Sequence, residues 1–234
     1  MTSSREKRDK RQTLWVIAGI VVIAIIATWG LIGGSWPWFT EAINAGPDPS
    51  IERGVTEGGY HYLGDPNAPV KLVVYEDYAC PNCKRFFDLN EETLISDYIA
   101  TGDVVMEMHP IAIISANSLP AAQAVYCADE QGAFWEYREL TFLNQGNLAF
   151  KRDNFGLIAE TLGLDRAQFM SCFDAGGYET EIMQASQAAQ NFGVEGTPTF
   201  IIAGERFPKA GETELPDVLS ILDQKIAEVK SNNE

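Results

Sequence analysis

The sequence predicts a mixed α/β domain that carries an inserted helical block and is preceded by one N-terminal transmembrane helix. Three observations predict this fold class. An uncharged apolar segment near the N-terminus is long enough to cross a bilayer. Beyond residue 60, short β-branched runs alternate with segments of helical periodicity. Between residues 115 and 176 the helical periodicity is almost uninterrupted, which indicates an insertion made of helices.

The apolar segment covers residues 14–32 and contains no charged side chain. A helix of this length extends about 30 Å, the thickness of the hydrocarbon core of a membrane. We therefore predict a transmembrane anchor over residues 14–34, preceded by a basic cytoplasmic tail over residues 1–13. The alternative is a cleaved signal peptide, but its apolar region is normally shorter, and no clear A-x-A site follows.

Charge is distributed unevenly around this segment. The chain carries 17 Lys and Arg and 33 Asp and Glu, and its first eleven residues hold five basic and two acidic side chains. No further Lys or Arg occurs until Arg53, so the positive-inside rule places the N-terminus in the cytoplasm. The rest of this single-pass membrane protein would then be extracytoplasmic. Its strong acidity argues against nucleic acid as a partner, because nucleic-acid binding relies on Lys and Arg.

Residues 35–59 are predicted to be a linker, since they are rich in Gly and Pro and show little hydrophobic periodicity. Residues 60–234 form one domain. Its first predicted strand, residues 70–75, is β-branched and nearly continuous, as in a strand buried on both faces. Helical spacing follows between residues 86 and 98, and a second strand is predicted at residues 104–108.

The second half of the domain begins with the helical insertion. Asp165 starts a capping-box pattern for the last helix of this insertion. The pattern then predicts a helix, two short paired strands and a final amphipathic helix, which cover residues 178–192, 199–202, 205–207 and 215–229.

Two cysteines, Cys80 and Cys83, stand between the first strand and the helix that follows it. Pro81 suits the first position of that helix. A thiol at a helix N-terminus faces unpaired N–H groups and the positive end of the helix dipole, and both favour the thiolate. Two intervening residues let one helical turn hold both sulfurs within bonding distance, with Cys80 the more exposed. The motif therefore predicts a reversible redox disulfide.

The other two cysteines, Cys127 and Cys172, fall within the helical insertion. An even cysteine count outside the cytoplasm favours pairing, so we predict a structural disulfide between them. Each could instead be a buried free thiol. An inert bridge or half of a zinc site are the alternatives for the first pair, but zinc sites normally combine two close C-x₂-C motifs. We predict no metal and no cofactor, and we interpret His61 and His109 as surface or strand histidines.

A second motif, Gly196-Thr197-Pro198-Thr199, lies just before a later predicted strand. Together with the C-x-x-C motif after a buried strand, it resembles the thioredoxin superfamily. The long helical insertion and the segment 127–135, which reads CADEQGAFW, resemble the DsbA-like thiol–disulfide oxidoreductases, especially the membrane-anchored bacterial type. This resemblance covers about three quarters of the chain.

The resemblance implies a thioredoxin fold with its insertion, and a cis peptide bond between Thr197 and Pro198. It implies that Cys80 is the sulfur that attacks or is attacked and that Cys83 is the resolving sulfur. Thr197 and Pro198 would then bind an extended segment of the substrate. Many relatives have an acidic residue six positions before the first cysteine, where this chain has Val74.

The implied function is that of an oxidase that introduces disulfides into reduced extracytoplasmic client proteins. Reoxidation would need a membrane quinone-linked partner of the DsbB or vitamin-K-epoxide-reductase type. Two alternatives remain. One is a disulfide reductase or isomerase on the same fold. The other is a membrane-tethered binding or chaperone module whose cysteines are only structural.

Overall fold

A computed structural model describes residues 45–146, 150–208, 214 and 216–232. The compact unit begins at Ala45. Six strands form one mixed sheet: β1 (Arg53–Val55), β2 (His61–Leu63), β3 (Val70–Glu76), β4 (Val104–Pro110), β5 (Thr199–Ile202) and β6 (Glu205–Phe207). Their order across the sheet is β1-β2-β4-β3-β5-β6. Only the central pair of β3 and β4 is parallel among these described neighbours.

The helices lie where the hydrophobic periodicity predicts them. After β3 the chain is helical from residue 81 to 99 but alternates between α and π geometry, in α1 (Pro81–Phe86), π1 (Phe87–Glu91), α2 (Glu92–Leu94) and π2 (Ile95–Ile99). Four helices form the insertion: α3 (Ser118–Asp129), α4 (Phe134–Leu143), α5 (Arg152–Thr161) and α6 (Arg166–Ala175). Two more follow it: α7 (Glu179–Asn191) and α8 (Val218–Asn232).

Local sequence signals explain several of these boundaries. The side chain of Asp165 accepts hydrogen bonds from the amides of Ala167 and Gln168, so the predicted capping residue begins α6. Gly176 ends this helix in the left-handed region, with φ of 64°, which a glycine adopts without steric cost. The strands and helices described above confirm the mixed α/β class and the helical insertion.

The predicted linker differs from the structure at its C-terminal end. Arg53–Val55, within the predicted linker 35–59, forms β1 and pairs with β2 in antiparallel register. Arg53 also donates to the carbonyl oxygens of Pro47 and Asp48, at 2.9 Å each. Three residues are too few to show a strand period, and this strand gains its hydrogen bonds from a neighbouring strand, so the local pattern does not reveal it.

The predicted transmembrane anchor, residues 14–34, lies outside the residues that the structure describes, as does the cytoplasmic tail. Among the described helices, none is both long and apolar enough to cross a membrane.

Strand register brings three chain segments to one edge of the sheet. In the parallel pair, Glu76 at the end of β3 lies opposite Pro110 at the end of β4. On its other side β3 runs antiparallel to β5, with Tyr75 opposite Thr199. The segments that follow residues 76 and 110 and the segment that precedes residue 199 therefore meet at the same edge. One of them carries the C-x-x-C motif, and another carries the Thr-Pro motif.

Candidate active site

Cys80 is the N-cap residue of α1. Its backbone is extended, with φ of −81° and ψ of 122°, and Pro81 occupies the first helical turn as predicted. The amide of Lys84 donates to the Cys80 carbonyl at 3.1 Å, which closes that turn. The amide of Cys80 donates to the Asp77 carbonyl at 2.9 Å, so a tight turn connects β3 to the helix.

Cys80 and Cys83 are both free thiols in the structure. The sequence predicts that Cys80 is the more exposed of the two, and this order holds by a small margin, because 3% of the Cys80 surface and 2% of the Cys83 surface are exposed. Cys80 is buried nearly as deeply as Cys83 because the Thr-Pro loop covers it. The Cys80 thiol donates a hydrogen bond to the main-chain oxygen of Thr197 at 3.2 Å.

The two thiols differ strongly in acidity despite their similar burial. Hydrogen bonding from the Cys83 side chain lowers the pKa of Cys80 to about 6, with further lowering by hydrogen bonds from Thr197 and from the Cys83 and Asn82 amides. Burial opposes this effect but does not outweigh it. Burial raises the pKa of Cys83 well above its usual value, and the neighbouring Cys80 raises it further. At neutral pH the site therefore holds a thiolate at Cys80 and a thiol at Cys83.

The Thr-Pro loop lies directly over this pair. The peptide bond between Thr197 and Pro198 is cis, and both residues are buried. The Thr199 hydroxyl donates to the Gly196 carbonyl at 2.7 Å, which stabilises the turn. Within the described part of the chain, the buried Thr197 hydroxyl has no hydrogen-bond partner other than the Cys80 sulfur, whose pKa it helps to lower. It is therefore available to donate to a thiolate at Cys80.

A buried acid is present near the cysteines, but not at the position that the resemblance implies. Val74 is core, with 1% of its surface exposed. Glu76 follows two residues later on the same buried face of β3, and its negative charge contributes to the raised pKa of Cys83. Burial also raises the pKa of Glu76 itself.

Glu76 belongs to a buried ion-pair network that the sequence does not predict. Arg138 on α4 donates to both Glu76 oxygens, at 2.6 and 2.8 Å. It also donates to both oxygens of Glu91 on π1, at 2.6 and 2.7 Å. The guanidinium lies 5.1 Å from the centroid of the Phe142 ring. One arginine thus connects the insertion to the strand and to the helix that flank the redox motif.

Sequence spacing contains a signal for Arg138. It lies four residues after Phe134 and four before Phe142, so it shares their helix face, and both aromatic residues are buried. A charged residue on an apolar helix face indicates a buried partner. The identity of that partner is a tertiary fact, because Glu76 is 62 residues away along the chain.

Gln145 is a second site residue that no sequence pattern indicates. Its side-chain nitrogen donates to the carbonyl oxygens of Tyr78 and Cys80, at 2.8 and 3.1 Å. The residue lies two positions after the end of α4, so the C-terminal end of this helix contacts the turn that carries the first cysteine. Gln145 and Arg138 together link α4 to both sides of the motif.

Cys127 and Cys172 are joined by a disulfide in the structure, with Cα atoms 5.7 Å apart. The bond connects α3 to α6, the first and last helices of the insertion. Gln123 donates to the Cys172 carbonyl at 3.3 Å and accepts from the Tyr178 amide at 3.1 Å. This cysteine pair therefore joins two helices of the insertion and lies apart from the redox motif in the sequence.

The two histidines have ordinary side-chain partners. His61 lies 2.8 Å from a carboxylate oxygen of Asp129. His109 lies 2.6 Å from a carboxylate oxygen of Glu107 and stacks on Tyr60. In the part of the chain that the structure describes, no three His, Cys, Asp or Glu side chains are grouped to hold a metal ion.

Comparison with known proteins identifies relatives of this chain. Residues 56–223 match the family described as Thioredoxin. The thiol:disulfide interchange protein DsbA of Bordetella parapertussis is 29% identical over 170 residues, which cover 69% of this chain and 78% of that protein. The Na(+)/H(+) antiporter NhaA 3 of Salinispora tropica is 34% identical over 146 residues, or 62% of this chain. That match covers only 22% of the antiporter.

A solved structure shares the fold described above. Oxidised BdbD from Bacillus subtilis superposes with a TM-score of 0.65 at 20% identity, over 79% of this chain and all of that one. The family match includes both the C-x-x-C motif and the Thr-Pro loop that the fold brings together. The chain therefore belongs to the thioredoxin family, as a DsbA-like member.

Proposed function

We propose that this protein is a thiol–disulfide oxidoreductase that oxidises pairs of thiols in extracytoplasmic client proteins. The observation that carries this proposal is the acidity of Cys80, whose pKa is lowered to about 6 beside a Cys83 thiol of raised pKa. A stabilised thiolate is a good leaving group in thiol–disulfide exchange, so it favours transfer of the disulfide to a client. The name of the Bordetella relative, a thiol:disulfide interchange protein, supports the same chemistry.

The reaction starts from a Cys80–Cys83 disulfide. A client thiolate attacks the Cys80 sulfur, the bond to Cys83 breaks, and Cys83 leaves as a thiolate that takes up a proton. A second client thiolate then attacks the client sulfur of the mixed disulfide. The client gains one disulfide, and Cys80 leaves as the stabilised thiolate. Two electrons have passed to the protein, which now holds the thiolate–thiol pair described above.

Each cycle requires an electron acceptor, and we propose a membrane quinone-linked reoxidase of the DsbB or vitamin-K-epoxide-reductase type. The predicted anchor at residues 14–34 would hold the domain in the same membrane as this partner and raise its local concentration. Fractionation of cells tests the anchor. The full chain should remain with membranes at high salt, and a variant without residues 1–34 should not. Recovery of both in the soluble fraction would contradict the tether.

The redox potential distinguishes an oxidase from a reductase or isomerase. We expect equilibration with glutathione buffers to give a potential at the oxidising end of the family range, near −120 mV rather than the approximately −270 mV of thioredoxin-type reductases. A value at the reducing end would favour the reductase alternative. A bond that glutathione does not reduce would favour a structural bridge in a binding or chaperone module.

Substitution of each cysteine tests the assigned roles. Cys80→Ser should reduce oxidation of a reduced model protein to the uncatalysed rate, because the attacked sulfur is absent. Cys83→Ser cannot form the starting disulfide, so it should also fail to oxidise a reduced client. Its Cys80 thiolate can still attack the disulfide of an oxidised client, and that mixed disulfide should accumulate because no internal sulfur displaces the client. Full oxidase activity in the Cys80 variant would overturn the mechanism.

A further inference from the structure

Asp77 has more contacts with the redox motif than its position between strand and helix suggests. It is completely buried, with 0% of its surface exposed. One carboxylate oxygen accepts a hydrogen bond from the Ala79 amide at 2.9 Å. The other accepts from two consecutive amides, those of Ile113 and Ile114, at 2.9 and 3.0 Å. Three main-chain donors thus satisfy one buried carboxylate.

The main chain of Asp77 contacts both cysteines. Its amide donates to the Cys83 sulfur at 3.5 Å. Its carbonyl accepts from the Cys80 amide at 2.9 Å. A shift of this one residue would therefore displace both sulfurs relative to each other and to the Thr-Pro loop.

The sheet explains why this carboxylate is needed at this point. β3 and β4 are parallel and their last residues pair, so both strands end at the same edge of the sheet. The Ile111 amide still bonds to the Glu76 carbonyl at 2.8 Å, but beyond it the ladder ends. The amides of Ile113 and Ile114 then point toward the turn that carries the cysteines. The Asp77 carboxylate accepts the hydrogen bonds of these two amides, which have no acceptor on a neighbouring strand.

We propose that Asp77 is a positioning residue for the Cys80–Cys83 pair, which holds the turn before Cys80 against the segment that leaves β4. The proposal deepens the proposed function, because it assumes that the pair is redox-active. It does not depend on whether the protein oxidises or reduces its clients. Its readout is the acidity of Cys80, which can be measured without a client protein.

A positioning role and a purely electrostatic role predict opposite changes in the pKa of Cys80 when Asp77 is replaced. A nearby negative charge disfavours a thiolate, so neutralising Asp77 would lower the pKa of Cys80 if charge alone mattered. Positioning predicts an increase. In Asp77→Asn, the side-chain NH₂ must face at least one main-chain N–H donor, which moves the turn. The hydrogen bonds that stabilise the Cys80 thiolate weaken steeply with such misalignment.

The experiment measures the Cys80 pKa of the reduced full-length protein from thiolate absorbance, in Asp77→Asn and Asp77→Glu. Glu keeps the charge but moves the acceptor atoms by one methylene group. We expect a higher Cys80 pKa in both variants. A tenfold weaker acid would lower the thiolate fraction at about pH 6 by about fivefold. The matched control is Asp65→Asn, an exposed residue whose carboxylate also accepts from the amide two positions later, at 2.8 Å. It precedes β3, at the opposite end of the strand, and should leave the Cys80 pKa unchanged.

An unchanged or lower Cys80 pKa in folded Asp77→Asn would overturn the proposal, whatever its melting temperature. If the variants do not fold, amide hydrogen exchange of the unsubstituted protein tests the proposal instead. The Ile114 amide belongs to no strand or helix, and only the Asp77 carboxylate binds it among the described residues. We expect it to be protected like the Ala79 amide, and rapid exchange of both would contradict the proposal.

Discussion

Cys80 and Cys83 show how the balance between burial and neighbouring hydrogen-bond donors separates the acidity of two residues of one type. Both are almost fully buried, yet the pKa of Cys80 is lowered and that of Cys83 is raised. Cys80 stands at the helix N-cap, where amide and thiol donors converge on its sulfur. Cys83 lies one turn inside the helix and has fewer donors to offset its burial.

The lowered pKa makes the stability of the reduced protein depend on pH. The folded-state pKa of Cys80 is below its unfolded value, so its stabilising effect is complete above about pH 9. This effect should be lost progressively as the pH falls toward about 6. Urea unfolding of the reduced protein and of Cys80→Ser, compared across this range, isolates this contribution. A stability difference that is independent of pH would contradict the assignment.

The rate of alkylation provides a kinetic measure of the same ionisation. We expect iodoacetamide to modify native Cys80 with a pH profile that has its midpoint near 6, because only the thiolate reacts. Cys83 should remain unmodified at neutral pH. The Cys83→Ala variant serves as the comparison, since alanine cannot donate the side-chain hydrogen bond that contributes most to the lowered pKa of Cys80. Its midpoint should therefore lie higher, and an identical profile would exclude that hydrogen bond as the main cause.

At the level of secondary-structure elements, Arg138 joins three of them. Its guanidinium on α4 binds Glu76 of β3 and Glu91 of π1 in a fully buried site. Two carboxyl groups share one cation in this buried site, and burial raises the pKa of Glu76. Such a site depends on the complete set of partners, because each unpaired buried charge is costly.

Removal of this arginine should therefore destabilise the fold strongly. We expect Arg138→Met to lower the free energy of unfolding by about 3–5 kcal/mol, since two buried carboxylates lose their partner. Arg152→Met is the matched control. Arg152 pairs with Asp174 at an exposed site, where solvent screens the ion pair and leaves it little effect on stability. Urea denaturation compares the variants, and equal losses would show that the buried network contributes little.

For the whole molecule, the insertion and the redox domain are built as one hydrophobic core but contain separate cysteine pairs. Buried residues of the sheet, such as Leu72, and of the insertion, such as Phe169, belong to the same cluster. The Cys127–Cys172 disulfide closes a loop with a sequence separation of 45 residues within the insertion. Its loss should therefore affect global stability without changing the chemistry of the other pair.

The double substitution Cys127→Ala and Cys172→Ala tests this separation. Loop-closure entropy predicts a loss of about 4 kcal/mol in the free energy of unfolding for a loop of this length. The Cys80 pKa of the folded variant should equal that of the unsubstituted protein. A shifted pKa in the folded variant would show that the insertion controls the redox pair through this bond.

Much of the fold follows from local patterns in the sequence. The β-branched run before Cys80, the helical spacing after Cys83 and the capping aspartate at residue 165 all lie where they predict an element. The short strand Arg53–Val55 does not, because three residues have no distinguishable period and its stability comes from pairing with β2. The alternation of α and π turns after residue 86 is likewise absent from the apolar spacing.

What the sequence alone determines about the site is the cysteine pair, its place between a strand and a helix, and the family resemblance. Tertiary structure decides the rest. Cys80 meets Thr197 across 117 residues, and Glu76 meets Arg138 across 62. Asp77 likewise binds an amide that follows β4, 36 residues further along the chain. Helix capping and periodicity act within a few residues, whereas these contacts join remote segments that strand register and helix packing bring to one edge of the sheet.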